Sequence, residues 1–348
     1  MFMKTIVLTG GGSAGHVTPN MALIPTLQKH FDRIFYIGTN GIEKQIVKEF
    51  NIPFMEIEAV KLIRSLNLKN LLIPFKLFSS INQSKRILKK IKPSVVFSKG
   101  GFVSLPVVIA AKKLGIPVVS HESDYTMGLA NKIITKYAKV VCTSFSKTAS
   151  LNKKCVFTGS PIRQTIKKGK AEVGKKITNI RSDKKTIMFF GGSLGSKKIN
   201  DVVFESLDEL LKSYNIIHIT GKNNDKKISK KDYYSTPFSN QIEHLFALSD
   251  IVVCRAGSNS IFELLSINKP MVLVPLSKKT SRGDQIENAE SFEQLGYAKV
   301  LHEENLCKET LIETIKNLDI EKMSSKMRTS KLQNGNENIV NQILKHSK

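Results

Sequence analysis

The chain alternates short, β-branched apolar runs with longer stretches of mixed polarity. The runs fall at Thr5–Thr9, Ile34–Ile37, Val95–Ser98, Pro117–Ser120, Val140–Thr143 and Val156–Thr158, and the gaps between them are long enough for helices. Apolar runs of this kind read as strands buried on both faces, and their alternation with helix-length segments predicts a parallel sheet covered by helices. A basic, poorly patterned stretch follows at 167–185, "KKGKAEVGKKITNIRSDKK". The pattern then restarts with "TIMFFGGSLGSKKIN", "NIIHIT", "IVVCRAG" and "PMVLVPL". The expectation is an α/β protein of two domains, residues 1–162 and 163–335. A last segment, 336–348, carries helical spacing at Ile339, Ile343 and Leu344 and is expected to pack back on the first domain.

The two halves echo each other. "TIVLTGGGSAG" matches "TIMFFGGSLGS", and "SVVFSKGGFVS" matches "DIVVCRAGSNS". Each half sets two glycine turns at strand ends. Ligands of open α/β sheets bind beyond the carboxyl ends of the strands, so two Rossmann-like domains are expected to line a central cleft with these turns.

Gly10, Gly12 and Gly15 fit the dinucleotide pattern G-x-G-x-x-G. A nicotinamide site also wants an acid at the end of the second strand, to hold a ribose. "FYIGTNG" supplies none, and Asp32 lies before that strand. His16 opens the following helix, where an imidazole serves either as a base at a ligand or as a partner for backbone. Gly191–Gly195 fits G-x-S-x-G, the nucleophile elbow of hydrolases. That reading leaves the matching loop at Gly10 unexplained. A helix N-terminus carries about half a positive charge, which suits a diphosphate at Ser193 and the amides after it.

Composition sharpens the picture. The chain has 348 residues, 41% of them hydrophobic, and 54 Lys+Arg stand against 29 Asp+Glu for a formal charge of +25. Part of that excess is a uniform lysine richness, but one region is different. From Ala59 through His121 there is no Asp or Glu, while Lys61, Arg64, Lys69, Lys76, Lys85, Arg86, Lys89, Lys90, Lys92, Lys99, Lys112 and Lys113 all occur. Within it, Leu71, Leu72, Phe75 and Phe78 lie among Lys76, Lys85 and Arg86, and Pro74 reads as the start of a helix. This mixture fits a surface that dips into anionic headgroups. Nucleic acid is the competing partner, and no RNA-binding aromatic pattern or helix-turn-helix accompanies the charge. The four cysteines have no C-x-x-C pairing, so neither zinc nor a disulfide framework is expected. No apolar stretch approaches the roughly 18 residues of a membrane span, and the opening residues hold no signal-like apolar region. A peripheral protein at the cytoplasmic face of the cell membrane is the expectation.

"GGGSAGHVTPN", "SKGGFVSLPVVIAAKKLGIPVVSHESDYTMGLANK", "TGSPIR", "GGSLGSKKIN", "CRAGSNSIFELL" and "RGDQIENA" together resemble the MurG family, in order and over nearly the whole chain. That resemblance implies the GT-B glycosyltransferase architecture. It also implies transfer of N-acetylglucosamine from UDP-GlcNAc to lipid I, the undecaprenyl-pyrophosphoryl-MurNAc-pentapeptide, giving lipid II. The resemblance puts Arg163 and Ser193 near the donor diphosphate. It puts Ser258, Asn259, Ser260 and Glu263 along the sugar nucleotide, with Glu263 on the ribose hydroxyls. Ser239 is implied at the uracil edge, and Gln285 and Asn288 at the GlcNAc hydroxyls. Ser13, Ala14, Gly15 and His16, with Gly100, Gly101 and Asp124, are implied on the acceptor side. Some members read His-Glu-Gln-Asn where this chain has His121-Glu122-Ser123-Asp124, so the contact made by the final Asn is in question at Asp124.

An inverting transfer needs a base for the C4 hydroxyl of MurNAc and positive potential for the departing UDP. His16 is the first candidate for the base and Glu122 the second. The helix after Gly195 and Arg163 supply the potential, and no Asp-x-Asp stands where a metal would be wanted, so neither metal nor cofactor is expected. A GT-B enzyme acting on another lipid, such as a diacylglycerol glycosyltransferase, shares these features. A basic nucleic-acid-binding protein would bind without releasing UDP.

Overall fold

A computed structural model of the protein describes residues 3–59, 73–192, 195–222, 224, 226, 228–279, 281–330 and 335–348. The chain divides into two compact units, Met1–Arg163 with Asn334–Lys348, and Gln164–Gln333.

The first unit is built on seven parallel strands: β1 (Thr5–Thr9), β2 (Arg33–Gly38), β3 (Phe54–Glu56), β4 (Val95–Ser98), β5 (Val118–Glu122), β6 (Val140–Thr143) and β7 (Cys155–Phe157). Their order is β3-β2-β1-β4-β5-β6-β7, so the winding reverses between β1 and β4. There Ile6 stands level with both Ile34 and Val95. Successive residues of a strand face opposite ways, and both faces are covered. Ile6, Leu8 and Phe97 pack with Met21, Leu23 and Leu27 on one side. Val7 and Val96 pack with Leu88, Val107, Val108 and Ala111 on the other.

The helix Gly335–His346 belongs to this unit and buries Ile339, Val340 and Ile343 in the first of those layers. Each such side chain, fully buried, adds about 1.5–3 kcal/mol. Asn336 fixes the helix in place: its Oδ1 accepts from Ile162 N at 2.7 Å, and its Nδ2 donates to Ile162 O at 2.9 Å and Ala22 O at 3.2 Å. A Cβ on Gly335 would stand 2.0 Å from the Ser160 carbonyl oxygen, so only glycine permits this approach.

The second unit has six parallel strands: β8 (Lys185–Phe190), β9 (Tyr214–Ile219), β10 (Tyr233–Thr236), β11 (Ile251–Cys254), β12 (Met271–Leu273) and β13 (Ala298–Val300). Their order is β10-β9-β8-β11-β12-β13, with the reversal between β8 and β11. Both sheets are therefore doubly wound.

Two differences from the sequence pattern have physical causes. The edge strands β3, β10 and β13 have only three or four residues, too few to show a periodicity. The basic stretch after 167 is ordered as the helix Ala171–Thr178, which packs on the helix Ile242–Leu248. Glycines make that contact. A Cβ on Gly169 would lie 2.1 Å from Glu243 O, and one on Gly174 2.5 Å from His244 O, so close backbone approach replaces the large apolar residues a pattern search looks for.

Candidate active site

In the first unit, chemistry gathers at the carboxyl ends of β1, β4 and β5. The loop after β1 is held from beneath by buried groups. Tyr36 Oη donates to Gly10 O at 2.8 Å, and Asn20 Nδ2 donates to Thr9 O and to Tyr36 Oη at 3.2 Å. Glu43 is fully buried, and its carboxylate accepts from the Gly12 amide at 3.3 Å, from the Thr39 amide at 2.9 Å and from the Thr39 hydroxyl. Gly12, at φ 83°, lies so close to Phe102 that a Cβ would meet its ring at 2.4 Å. The loop after β4 reciprocates: Gly101, at φ 80°, approaches Gly11 O and the His16 ring. His16, at the end of the segment Ser13, Ala14, Gly15, thus stands beside Gly101, while Gly100 lies against Asn131. Ser13 and Gly15 are exposed and His16 is half-buried.

His16 closes a short 3-10 turn, Ala14–His16, and its Nδ1 lies 3.2 Å from the carbonyl oxygen of Lys99. A carbonyl can only accept, so the bond requires the proton on Nδ1 and puts the ring's lone pair on Nε2. In the neutral ring Nε2 is then the nitrogen able to take a proton. Glu122 is differently placed. Its Oε1 accepts from the Asp124 amide at 3.0 Å, and its Oε2 accepts from the Gly128 amide at 3.0 Å and from Asn131 Nδ2 at 2.9 Å. These bonds tie the loop after β5 to the start of the helix Leu129–Tyr137. A carboxylate so engaged is a brace first. Its neighbour His121 is fully buried, and burial together with the Lys99 charge holds its imidazole well below the usual range.

In the second unit the same geometry recurs at the ends of β8, β10, β11 and β12. Gly192, at φ 89°, follows β8, and Gly257 follows β11, the neighbouring strand. Among the described residues a Cβ built on either meets nothing within 4 Å, unlike one on Gly191, Gly195 or the first unit's Gly10. The open space therefore lies at the reversal of winding, where a doubly wound sheet takes its ligand. The helix Lys197–Ser213 begins beside it, with Ser196 Oγ accepting from Ile199 N at its N-terminus. Ser258, Asn259 and Ser260 form the first turn of the helix Ser258–Ser266, and Glu263 comes one turn later on the face of Asn259 and Ser260. Asn288 Nδ2 donates to Ala256 O at 3.3 Å, and Gln285 Oε1 accepts from Leu276 N at 3.2 Å, so both brace these loops. Ser239 follows β10, its Oγ accepting from Gln241 N at 3.1 Å, and exposed Phe238 precedes it. Ser193 lies outside the described residues, and Arg163 is the last residue of the first unit's long segment.

Two residues that brace these loops are not among those the sequence motifs point to. Arg255, directly after β11, donates to Val274 O at 3.2 Å, to Pro275 O at 3.3 Å and to Ser196 Oγ at 2.7 Å, and pairs with Glu303. This buried guanidinium joins the ends of β11 and β12 to the helix start. Removing one partner of such a pair costs about 3–5 kcal/mol. His218 donates from Nε2 to Asn200 Oδ1 at 3.0 Å and accepts at Nδ1 from Tyr233 Oη at 3.2 Å, while Asn200 Nδ2 donates to Thr220 O at 2.8 Å. Burial pushes the His218 imidazole down to about 4, so it stays neutral and the network stays intact. An arginine at the end of a buried strand was a usable clue; a histidine inside one was not.

The acid-free region contains the helix Ile73–Ile91. Ser80, Ile81, Ser84, Leu88 and Ile91 face inward. Phe75 and Phe78 point outward, 75% and 62% exposed, with Lys76, Arg86, Lys89 and Lys90 also exposed and Lys85 half-buried. Leu71 and Leu72 lie outside the described residues. Among the described residues no helix is long and apolar enough to cross a membrane, and no cluster of three His, Cys, Asp or Glu side chains could hold a metal.

Two doubly wound units with glycine loops at the strand ends define the class of the GT-B glycosyltransferases. Residues 6–143 match the glycosyltransferase family 28 N-terminal domain, and residues 186–343 match the glycosyltransferase family 28 C-terminal domain. The chain is 48% identical, over 99% of its length and 98% of the relative's, to the "UDP-N-acetylglucosamine--N-acetylmuramyl-(pentapeptide) pyrophosphoryl-undecaprenol N-acetylglucosamine transferase" of Clostridium tetani. It is 49% identical to the enzyme of the same name from Clostridium perfringens, over 98% of each chain. Among solved structures it resembles MurG of Acinetobacter baumannii with a TM-score of 0.78 and 26% identity, over 99% of this chain and 100% of that one. The UDP-GlcNAc 2-epimerase of Neisseria meningitidis, at 16% identity and a TM-score of 0.68, shares the fold. The chain belongs to the MurG family of glycosyltransferase family 28.

Proposed function

We propose that this protein transfers N-acetylglucosamine from UDP-GlcNAc to the C4 hydroxyl of MurNAc in lipid I, forming lipid II for peptidoglycan. The observation that carries the reading is near-full-length identity of almost one half to enzymes named for this reaction. Neither the diacylglycerol reading nor the nucleic-acid reading is favoured by any of these relatives.

In this mechanism His16 Nε2 takes the proton of the C4 hydroxyl as that oxygen attacks the anomeric carbon and the bond to UDP breaks, with inversion. The bond to the Lys99 carbonyl supports that role by fixing the tautomer. Glu122 acts by holding the loop after β5. The donor diphosphate lies at the start of the helix Lys197–Ser213, over the open space at Gly192 and Gly257, where the helix dipole stabilises the leaving group. Glu263 accepts both ribose hydroxyls, Ser239 backbone meets the uracil, and Gln285 and Asn288 meet the GlcNAc hydroxyls. Arg163 and Ser193 contribute to diphosphate binding. The acceptor is received by the Ser13–His16 turn with Gly100, Gly101 and Asp124.

The helix Ile73–Ile91 docks on anionic lipid at the cytoplasmic face of the cell membrane, Phe75 and Phe78 entering the headgroup region and Lys76, Lys85 and Arg86 meeting phosphate. Incubation with UDP-GlcNAc and a short-chain lipid I analogue should release UDP and form disaccharide product. Transfer to diacylglycerol in preference to lipid I, or no UDP release at all, would overturn the reading.

A further inference from the structure

Lys99 is the least expected buried residue of the first unit. It is 2% exposed, and its Nζ donates to Ser123 Oγ in the loop after β5. An ammonium buried this deeply is stable only if charges or hydrogen bonds replace its water. Glu122 and Asp124 supply opposite charge from that loop, His121 on β5 is pushed toward its neutral form by it, and Asn131 closes the cluster by bonding to Glu122. The same residue also offers its carbonyl to His16 Nδ1, and it directly precedes Gly100 and Gly101, whose backbones contact Asn131 and His16. Lys99 therefore helps to fasten the β5 loop with its side chain while its own main chain sets the tautomer of His16.

We propose that Lys99 is a positioning residue for the transfer: its ammonium, matched in charge by Asp124 and Glu122, locks the loop after β5 to the turn that orients His16. This rests on the reading of His16 as the base in GlcNAc transfer. Position 124 then has a defined role in this chain, as the second counter-charge, after Glu122, to a lysine whose ammonium is bonded to Ser123 in the same loop.

The test compares wild type with Lys99→Met, Asp124→Asn and the double variant. Two measurements are made on each: the pH dependence of kcat for transfer to a soluble lipid I analogue, and the 15N spectrum of His16 in the ligand-free protein. Lys99→Met should lower kcat at least tenfold with the UDP-GlcNAc KM changed less than twofold. The double variant should recover much of that loss, because the lysine and one of its two counter-charges leave together and Glu122 keeps its own hydrogen bonds. Wild-type activity should fall as Lys99 loses its proton, near pH 8, and Asp124→Asn should move that limb to lower pH, since Asp124 favours the charged lysine. The Nδ1–H tautomer of His16 should lose population in Lys99→Met. If that variant folds poorly, the shifted limb and the spectrum of Asp124→Asn carry the decision. Additive effects of the two substitutions, an unmoved alkaline limb or an unchanged His16 spectrum would overturn the proposal. A wild type without transfer activity would instead overturn the proposed reaction, and the spectra would still decide whether Lys99 orients His16.

Discussion

His16 Nδ1 meets the carbonyl oxygen of Lys99 at 3.2 Å across 83 residues of sequence, which joins the loop after β1 to the loop after β4 and assigns the imidazole its tautomer. General-base catalysis commonly contributes about 10²–10⁴ in rate. His16→Ala should therefore lower kcat about 10²-fold or more and leave the UDP-GlcNAc KM nearly unchanged. Steady-state kinetics at saturating acceptor check this, and an undiminished kcat would move the base elsewhere.

Glu263→Ala should act on the donor alone. Ribose contacts are made equally in the ground and transition states, so their loss raises KM and spares kcat. Hydrogen bonds to a charged group are each worth about 1.5–3 kcal/mol, which corresponds to a rise of roughly ten- to a hundredfold. Glu263 is largely buried, so the melting temperature of the variant should be recorded beside its KM.

Gly257→Ala separates binding from folding. Gly257 has φ −67° and ψ 131°, which alanine adopts without strain, and its Cβ would enter empty space. Gly257 is the N-cap of the helix Ser258–Ser266, where alanine is somewhat less favourable than glycine, so stability should change by no more than about 1 kcal/mol. If that space receives the donor, affinity for UDP should fall in calorimetric titration by more than this small change in stability accounts for. Undisturbed UDP binding would show that the donor lies elsewhere.

Changing Lys76, Lys85, Arg86 and Lys89 to Gln should weaken binding to anionic vesicles by ~2–4 kcal/mol at low ionic strength, at roughly 1 kcal/mol per cation near the surface. High salt should release the wild type, because headgroup attraction is screened and apolar burial is not. Transfer to a soluble acceptor should survive in the variant. Equal sedimentation of both proteins with vesicles would remove the membrane reading of this helix.

Burial lowers Lys99 from 10.5 to about 8, against the raising effect of Glu122 and Asp124. The folded protein then releases this proton near pH 8, whereas the unfolded chain keeps it to about pH 10.5. Between those values the unfolded state binds more protons, so stability contributed at this site rises with pH. Denaturant unfolding at pH 7.5 and 9.5 should show wild type gaining on Lys99→Met, toward a limit on the order of 3 kcal/mol for the full shift. A constant difference between the two proteins would mean that Lys99 does not titrate in this range.

The sequence by itself determined the repeated α/β architecture, because apolar strands buried on both faces leave an unbroken β-branched signature. It also located the glycine loops, since the turns at Gly12, Gly100, Gly101 and Gly192 need positive φ that glycine alone adopts freely. His16, Glu263 and the exposed aromatic and basic helix were legible as residue types in a pattern. The tertiary structure decided what those patterns could not carry. Short edge strands have no periodicity, and the helix after residue 170 is packed through glycines that leave no apolar trace. The placing of Glu122 among the amides of the β5 loop and of His16 against the Lys99 carbonyl depends on which atoms each touches. So does the importance of Lys99, Arg255 and His218, whose partners are distant in sequence and whose burial reverses the role their charge suggests.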